Sequence, residues 1–312
     1  MKRRIAIGMA GLLVVGSGLG ASAVAQQVID SGYRATVARP AYPAGGGPVV
    51  AIDAAHENFH TRTGRYRAFA SLLEADGHRV VDSRVPFTAS GFAGLAVLVI
   101  ANAGMPASDW SLPARSAFTA AEIDAVVGWV EQGGALFLIA DHLPAAGAAT
   151  DLARRFGVEF TNGYTVAPRP AGSPPGDLFT RLDGTVADHP ITRGRDAAER
   201  VDSVLTFTGQ AFQLTEPAAV LLRFGPAANT WLPVLAGARF DSLTARVYSG
   251  GWPHAVAKRL GRGRVVLLGE AGGFSAQLSG PSRQPMGLNH PKSIGNQQFL
   301  LNILHRLTGL LD

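Results

Sequence analysis

The stretch LAVLVIAN, residues 95–102, is an apolar run that ends on a polar residue. Two more runs have the same character, PVVAID at residues 48–53 and ALFLIA at residues 135–140. Short continuous apolar runs bounded by turn-forming residues are typical of strands buried on both faces, as in parallel sheets. The sequence therefore predicts a central sheet that is mostly parallel.

Segments of helical periodicity alternate with these runs. The Thr119-Ala-Ala-Glu122 stretch is a capping box, and Ile123, Val126 and Val130 continue it as an apolar helix face. We predict helices at residues 66–75, from Thr119 to Gly133, at 145–156 and at 294–310, and further strands at 78–81 and 264–269. Alternation of buried strands and amphipathic helices predicts an α/β fold with a doubly wound, mostly parallel sheet.

The chain divides into three parts by composition. Residues 1–25 begin with Lys2, Arg3 and Arg4, continue with an apolar stretch and end in Ala23-Val24-Ala25, which predicts a cleaved signal peptide and a periplasmic or secreted protein. Residues 26–47 are predicted as a linker. Residues 48–312 are predicted as a single α/β domain, in which about 160–255 form a β-rich insertion or edge subdomain.

Composition excludes several classes of function. The chain has no cysteine, so disulfides, thiolate zinc sites and a cysteine nucleophile are excluded. Loss of the signal peptide lowers the formal net charge from +5 to +2, and no basic stripe with interleaved aromatic residues remains. We therefore expect no nucleic-acid partner and no membrane span after signal removal, and the sequence leaves the oligomeric state open.

Ionisable residues follow three of the predicted strands. Asp53 and His56 come after the first, Asp141-His142 after the strand at 135–140, and Glu270 after the strand at 264–269. Open parallel sheets bind ligands beyond the carboxyl ends of their strands, so the fold should gather these groups. This convergence is the main argument for a functional site.

A metal centre is one interpretation of these residues. His56 and His60 are four residues apart, which places both rings on one face of a helical turn. His142 would complete the set around a divalent ion, for which we expect Zn²⁺. Asp53 or Asp141 would serve as a further ligand or orient a ring.

Each of these residues also has a purely structural interpretation. One of His56 and His60 would be bonded within the loop and the other would cap a helix, Asp141 would be a helix N-cap, and Glu270 would accept hydrogen bonds that pin the glycine loop.

Polar residues around the predicted centre are candidates for substrate binding. Ser275 lacks the full G-x-S-x-G frame because Gln277 replaces the last glycine, so a serine hydrolase is poorly supported. The candidate substrate-binding residues are Asn58, Asn102, Ser275, Gln277 and His290.

Several stretches carry a family resemblance. They are residues 53–61 (DAAHENFHT), 139–144 (IADHLP), 269–277 (GEAGGFSAQ) and 296–302 (NQQFLLN). With the order of elements, they resemble uncharacterised exported bacterial proteins that have a class I glutamine amidotransferase-like domain, which implies a flavodoxin-like three-layer sandwich. True amidotransferases have a nucleophilic cysteine after the strand that ends here at Ala140, where this chain has Asp141-His142.

Three functions are compatible with these residues. The first is a metal-dependent hydrolase of an amide or ester bond, in which Glu270, with Asp141 nearby, accepts a proton from metal-bound water. The second is a non-catalytic module that binds a sugar or cell-envelope component, as the sugar-linked trehalose-utilisation-like relatives of the fold imply. The third is a metal-free acid–base enzyme, such as a glycosidase, that uses Glu270 and Asp141.

Overall fold

The structure is a computed structural model, and it describes residues 27–104, 112–168, 176–235 and 240–311. The predicted signal peptide lies outside these residues and stays a prediction. Over the described part of the chain, no helix combines the length and apolar character that crossing a membrane requires.

Seventeen strands and five α-helices are present in the described residues. The strands are β1 Gln27–Ile29, β2 Val49–Asp53, β3 Arg79–Ser83, β4 Val97–Ala101, β5 Ala135–Ile139, β6 Val158–Phe160, β7 Tyr164–Val166, β8 Asp177–Thr180, β9 Ser203–Thr206, β10 Phe212–Leu214, β11 Ala219–Arg223, β12 Asn229–Leu232, β13 Ala245–Tyr248, β14 Pro253–Leu260, β15 Gly263–Leu268, β16 Ala276–Ser279 and β17 Gln284–Gly287. The helices are α1 Arg67–Ala75, α2 Ala120–Glu131, α3 Ala145–Arg154, α4 Pro190–Arg193 and α5 Asn296–Leu307.

A seven-stranded sheet in the order β11-β14-β15-β5-β4-β2-β3 forms the centre of the fold. Five adjacent strands run parallel to one another, in the order β15, β5, β4, β2 and β3. In register, Phe137 of β5 lies opposite Val99 of β4 and Val266 of β15. β14 and β11 continue the sheet antiparallel. The predicted α/β class is confirmed, and the sheet is mixed.

Apolar side chains cover both faces of this sheet. Val50 and Ile52 of β2 point into one cluster together with residues of α1 and α5. Ala51, between them, points into a second cluster with residues of α2 and α3, because successive side chains of a strand alternate between faces. Burial on both faces is the reason that the central strands are apolar without interruption.

Two segments differ from the sequence prediction. Residues 26–47 were predicted as a linker, but β1 pairs with β16, and the Ala41 amide donates to Asp76 at 2.8 Å. The region 160–255 was predicted as a β-rich insertion or edge subdomain, and its strand β11 lies at the edge of the central sheet. β14 itself was missed, since Lys258 and Arg259 interrupt its apolar pattern.

The side chain of Asn296 joins three segments of the fold. It is fully buried at the start of α5, where it accepts from the Leu205 amide at 2.8 Å. It also donates to the carbonyl oxygens of Leu205 at 2.7 Å and of Gly273 at 3.0 Å. These bonds connect α5 with β9 and with the loop that follows β15.

We predict that Asn296→Ala lowers the free energy of unfolding by about 2–4 kcal/mol, because it leaves buried backbone groups without partners. Urea denaturation followed by circular dichroism measures the change. Gln213→Ala, at an exposed position of β10, is the control and should change stability by less than about 0.5 kcal/mol. Equal stability of wild type and Asn296→Ala would contradict this role.

Candidate functional site

Asp141 lies where β5 ends, and its carboxylate links three strand ends. Its Oδ2 accepts from Asn102 Nδ2 at 2.6 Å, while its backbone amide donates to Asn102 Oδ1 at 2.9 Å. Its Oδ1 accepts from the backbone amide of Ala271, beyond the end of β15. The N-cap residue of α3 is Pro144, so Asp141 is not the helix cap considered above.

The backbone at this edge includes a residue in an uncommon conformation. Asn102 follows β4 with a φ of 48°, in the left-handed region that residues other than glycine rarely adopt. Its two bonds to Asp141 hold it there. Such conformations are often found at functional sites.

Glu270 lies beneath the glycine loop and is 2% exposed. Its Oε2 accepts from the Gly273 amide at 2.8 Å, and the amides of Gly272 and Phe207 also bond to this carboxyl group. A Cβ atom at Gly272 would lie 2.5 Å from Glu270 Oε1, so this approach requires glycine. Glu270 therefore pins the glycine loop, as one interpretation of the sequence proposed.

The two carboxyl groups influence each other's protonation. Burial, and then the charge of Asp141, raises the pKa of Glu270 well above its ordinary value. Burial also raises the pKa of Asp141, although His142, Asn102, the Ala271 amide and Arg65 oppose this shift. Asp141 consequently loses its proton first, and Glu270 keeps its proton beside it.

Arg65 and Tyr66 complete the surroundings of Asp141. Arg65 is partly buried, interacts electrostatically with Asp141 and has its guanidinium carbon 5.2 Å from the centre of the Phe59 ring. Tyr66 Oη donates to the Ala271 carbonyl oxygen at 3.2 Å, and burial followed by the charges of Asp141 and Glu270 raises the pKa of this phenol. Sequence analysis missed Arg65, because an arginine before a helix has no distinctive spacing.

His56 is held between two carboxylates. Its Nδ1 donates to Asp53 Oδ1 at 2.9 Å, and its Nε2 donates to Glu122 Oε1 at 2.9 Å. Burial alone would lower the pKa of His56, but the two carboxylates outweigh this effect and raise it. His56 is therefore an imidazolium that ties the loop after β2 to the start of α2.

Glu122 has two functions, of which the sequence indicated one. It forms the predicted capping box with Thr119, and it also binds His56. Burial would raise the pKa of Glu122, but hydrogen bonds from His56, Thr119 and Phe87 lower it to about 2. The capping box could be predicted because Thr119 and Glu122 are close in sequence. The contact with His56 could not, because it joins residues 66 positions apart.

The other two candidate metal ligands lie in different environments. His60 is buried with its ring 4.8 Å from that of Tyr66, and burial followed by Arg65 lowers its pKa to about 3. His142 Nδ1 donates to the Leu143 carbonyl oxygen at 2.7 Å, and its ring stacks on Tyr164 at 4.0 Å. Burial lowers the pKa of His142 as well.

The structure does not assemble the predicted metal centre. Among the described residues, no group of three histidine, aspartate or glutamate side chains is placed so that it could hold a metal ion. Both ring nitrogens of His56 bind carboxylates, which leaves neither lone pair for a metal. His56, His60 and His142 therefore do not fit a shared Zn²⁺ in this arrangement.

Most of the candidate substrate-binding residues are bonded within the protein. Asn58 donates to Asp53 Oδ2 at 3.1 Å and to the Ala101 carbonyl oxygen at 3.2 Å, and Asn102 is bound to Asp141. Ser275 and Gln277 are buried, and Gln277 Nε2 donates to Ser275 Oγ at 2.8 Å. These side chains shape the loops, and their predicted contacts with a substrate stay a prediction.

His290 lies at a turn beyond β17. Its Nδ1 accepts from the Lys292 amide at 3.1 Å, and its ring centre is 5.6 Å from that of Phe207. Burial and then Lys292 lower its pKa.

A cleft of about 390 Å³ opens at the same edge of the sheet. Segments that follow β2, β4 and β5 line it, and His56 is among its walls. The lining residues are Ala55, His56, Glu57, Gly104, Ala114, Arg115, Ser116, Ala117, Pro144 and Ala148.

Comparison with known proteins identifies relatives in fold only. No family model matches the chain, and no curated protein matches its sequence. The N-terminal domain of mmIFT52 is 14% identical, with a TM-score of 0.59 over 83% of this chain and 97% of that one. Cytoplasmic protein STM1381 from Salmonella typhimurium LT2 is 15% identical, with a TM-score of 0.50 over 84% and 99%. A putative ThuA-like protein from Bacteroides uniformis ATCC 8492 reaches 0.46 at 14% identity over 85% and 95%, too weak a likeness to support an argument.

These findings correct the expected relationship. The predicted resemblance to uncharacterised exported bacterial proteins is wrong, since the matching structures are an IFT52 domain and a protein described as cytoplasmic. The motifs at residues 53–61 and 139–144 were assigned to a family on local similarity, whereas the matches depend on the arrangement of the strands.

We predict that His56→Gln lowers the free energy of unfolding by about 2 kcal/mol at pH 6, because it leaves Asp53 and Glu122 without their shared cation. The raised pKa of His56 means that its contribution is fully present below about pH 6.5, the ordinary histidine value, and is lost as the pH rises through the folded-state pKa. Denaturation at pH 6 and pH 9 should therefore show a smaller penalty at pH 9.

His290→Gln is the matched control, since the pKa of His290 is lowered. Its effect on stability should not shrink between pH 6 and pH 9. A penalty in His56→Gln that is the same at both pH values would show that His56 is not the proposed imidazolium.

Proposed function

We propose that this chain is a hydrolase of an amide or ester bond in which Asp141 acts as general base. The observation that carries the proposal is the partly exposed Asp141 carboxylate at the carboxyl end of β5, with a raised pKa and a second, protonated carboxyl group behind it. Carboxyl pairs whose protonation is separated by their environment are typical of acid–base centres.

The reaction would proceed through water activated by Asp141. The carboxylate accepts a proton from a water molecule, whose oxygen attacks the carbonyl carbon of the substrate. The guanidinium of Arg65, which interacts with Asp141, would stabilise the negative charge that develops on the carbonyl oxygen. As the bond breaks, the proton passes from Asp141 to the leaving nitrogen or oxygen.

Glu270 would act through Asp141. It is almost fully buried, so we assign it no contact with substrate. Its retained proton keeps the pair at one negative charge, because two ionised carboxylates in a buried site repel each other strongly. Glu270 is thus a positioning residue that fixes both the glycine loop and the protonation of Asp141.

Zn²⁺ is not part of this proposal. The carboxylate contacts of His56 and the absence of a suitable ligand group among the described residues support a mechanism that needs no metal. The metal-dependent hydrolase predicted from the sequence would require His56 to release one of its two carboxylates, because a metal ligand binds through one ring nitrogen and can keep the other bonded to a carboxylate.

A finer description of the fold also belongs to the proposal. Helices α1 and α5 pack on one face of the sheet and α2 and α3 on the other, which supports a doubly wound, three-layer architecture of the amidotransferase-like type. The chain has no cysteine, so any activity on this architecture uses other groups.

A second candidate function is a non-catalytic binding module. It is favoured by the internal bonding of Asn58, Ser275 and Gln277, which gives the loops a fixed shape suited to recognition. Ligand binding without turnover in the wild type would support this alternative.

We predict that Asp141→Asn lowers kcat/KM by about 10²–10⁴-fold, because general acid–base catalysis typically contributes that much. The assay uses purified protein with p-nitrophenyl acetate as ester and an alanine p-nitroanilide as amide. Asp151→Asn, at an exposed position of α3, makes the same chemical change away from the site and should retain activity. Hydrolysis by Asp141→Asn at the wild-type rate would overturn the proposal.

We predict a pH profile of kcat/KM that falls at low pH through the raised pKa of Asp141 and at high pH through that of Glu270. Glu270→Gln should keep the fall at low pH and lose the fall at high pH, because its amide does not ionise. An unchanged high-pH limb in Glu270→Gln would show that Glu270 has only a structural role.

A further inference from the structure

A second cavity, also of about 390 Å³, lies at the end of the sheet opposite the candidate site. It is formed where β11, β14 and β15 meet the last turn of α5. Arg264, near the start of β15, pairs in register with Ala135 at the start of β5, so the cavity is at the amino ends of the parallel strands. Glu270 and Asp141 follow the other ends of the same two strands, which makes the two sites distinct.

Five of the eleven residues that line this cavity are basic. Arg259 comes from β14, Arg264 from β15 and Arg306 from α5, and His189 lies beside them. The side chain of Lys258, one residue before Arg259, points to the other face of the strand, toward Phe156 and Glu216. No residue of the described lining is acidic. The remaining lining is apolar and consists of Pro217, Ala218, Ala219, Ala257, Val265 and Leu307.

The strand register places like charges together. Arg259 is the direct partner of Arg264 in the antiparallel pair of β14 and β15. Directly opposite side chains in such a pair are neighbours on one face, and like charges there are destabilising. An anion bound between the two guanidinium groups would offset the repulsion between them.

His189 adds no positive charge to the cavity at neutral pH, because its pKa is low. Burial, followed by the charges of Arg306 and Arg193, lowers the pKa of His189 to about 4. Asp188 opposes this shift but does not outweigh it.

The cationic groups also have partners within the chain. Lys258 Nζ bonds to Glu216 at 2.7 Å and to the Phe156 carbonyl oxygen at 3.0 Å, and Arg306 donates to the Leu311 carbonyl oxygen at 2.8 Å. Arg259 and Arg264 have interactions as well. An anion in the cavity would therefore interact with Arg259, Arg264 and Arg306 in addition to their partners within the chain.

We propose that this cavity binds a phosphate group, either as free phosphate or as the phosphoryl end of a small molecule. Arginine guanidinium groups match the oxygens of phosphate in geometry and charge. The cavity is of the size that small-molecule sites have, and its apolar wall offers room for a substituent beside the phosphoryl group. This site is independent of the proposed hydrolase activity.

Isothermal titration calorimetry with inorganic phosphate tests the proposal, at constant ionic strength in sodium chloride. We expect one binding site in the wild-type protein. Arg259→Gln and Arg306→Gln should each weaken binding by about tenfold, as expected for loss of one charge-assisted hydrogen bond. Arg67→Gln, on the exposed side of α1 near β3 at the other end of the sheet, is the control of equal charge change and should bind as wild type does.

A second ligand distinguishes free phosphate from a phosphoryl compound, and other results would contradict the proposal. Tighter binding of phenyl phosphate than of phosphate would identify a phosphoryl compound as ligand, and equal or weaker binding would identify the free ion. No binding of either, or equal weakening in Arg67→Gln, would overturn the proposal. Should Arg306→Gln fail to fold by circular dichroism, Arg259→Gln carries the comparison, because its side chain is exposed.

Discussion

The bond from the Ala271 amide to the Asp141 carboxylate joins the ends of two neighbouring parallel strands. Burial in the same place keeps Glu270 protonated, and the glycine loop closes over that carboxyl group because Gly272 and Gly273 have no Cβ atoms. If both carboxyl groups were ionised, their repulsion would act against the packing of the loop. Protonation of Glu270 thus affects both the ionisation of Asp141 and the stability of the glycine loop.

Two separate charge arrangements occupy the carboxyl edge of the sheet. Around Asp141 the charges are an acid pair with an arginine nearby, which suits proton transfer. Around His56 a cation lies between Asp53 and Glu122, which suits a structural tie between the β2 loop and helix α2. The residues that sequence analysis combined into one metal centre therefore divide between two arrangements with different effects.

Local patterns in the sequence predicted much of the fold. The apolar runs at 48–53, 95–102 and 135–140 correspond to β2, β4 and β5, and the capping box at Thr119 starts α2 as expected. The antiparallel strand β14 could not be read in this way, because Lys258 and Arg259 near its end interrupt the apolar pattern. The family assignment failed for a related reason, since short motifs do not report strand arrangement.

The sequence predicted where the candidate site lies in the fold. It did not predict which side chains contact each other there. The rule that ligands bind at strand ends located Asp141 and Glu270, and spacing suggested that His56 and His60 share one ion. Spacing of four residues does not determine side-chain partners, which here come from Glu122 for one ring and Tyr66 for the other. Such contacts join distant parts of the chain and require coordinates.

The proton of Glu270 can be measured directly by carbon-detected NMR titration of the side-chain carboxyl groups, with Asp141→Asn and Glu270→Gln providing the assignments. Burial of the pair predicts that both groups ionise above their ordinary pKa values and that Asp141 loses its proton at a lower pH than Glu270 does. Titration of both groups near pH 4, independently of each other, would contradict it.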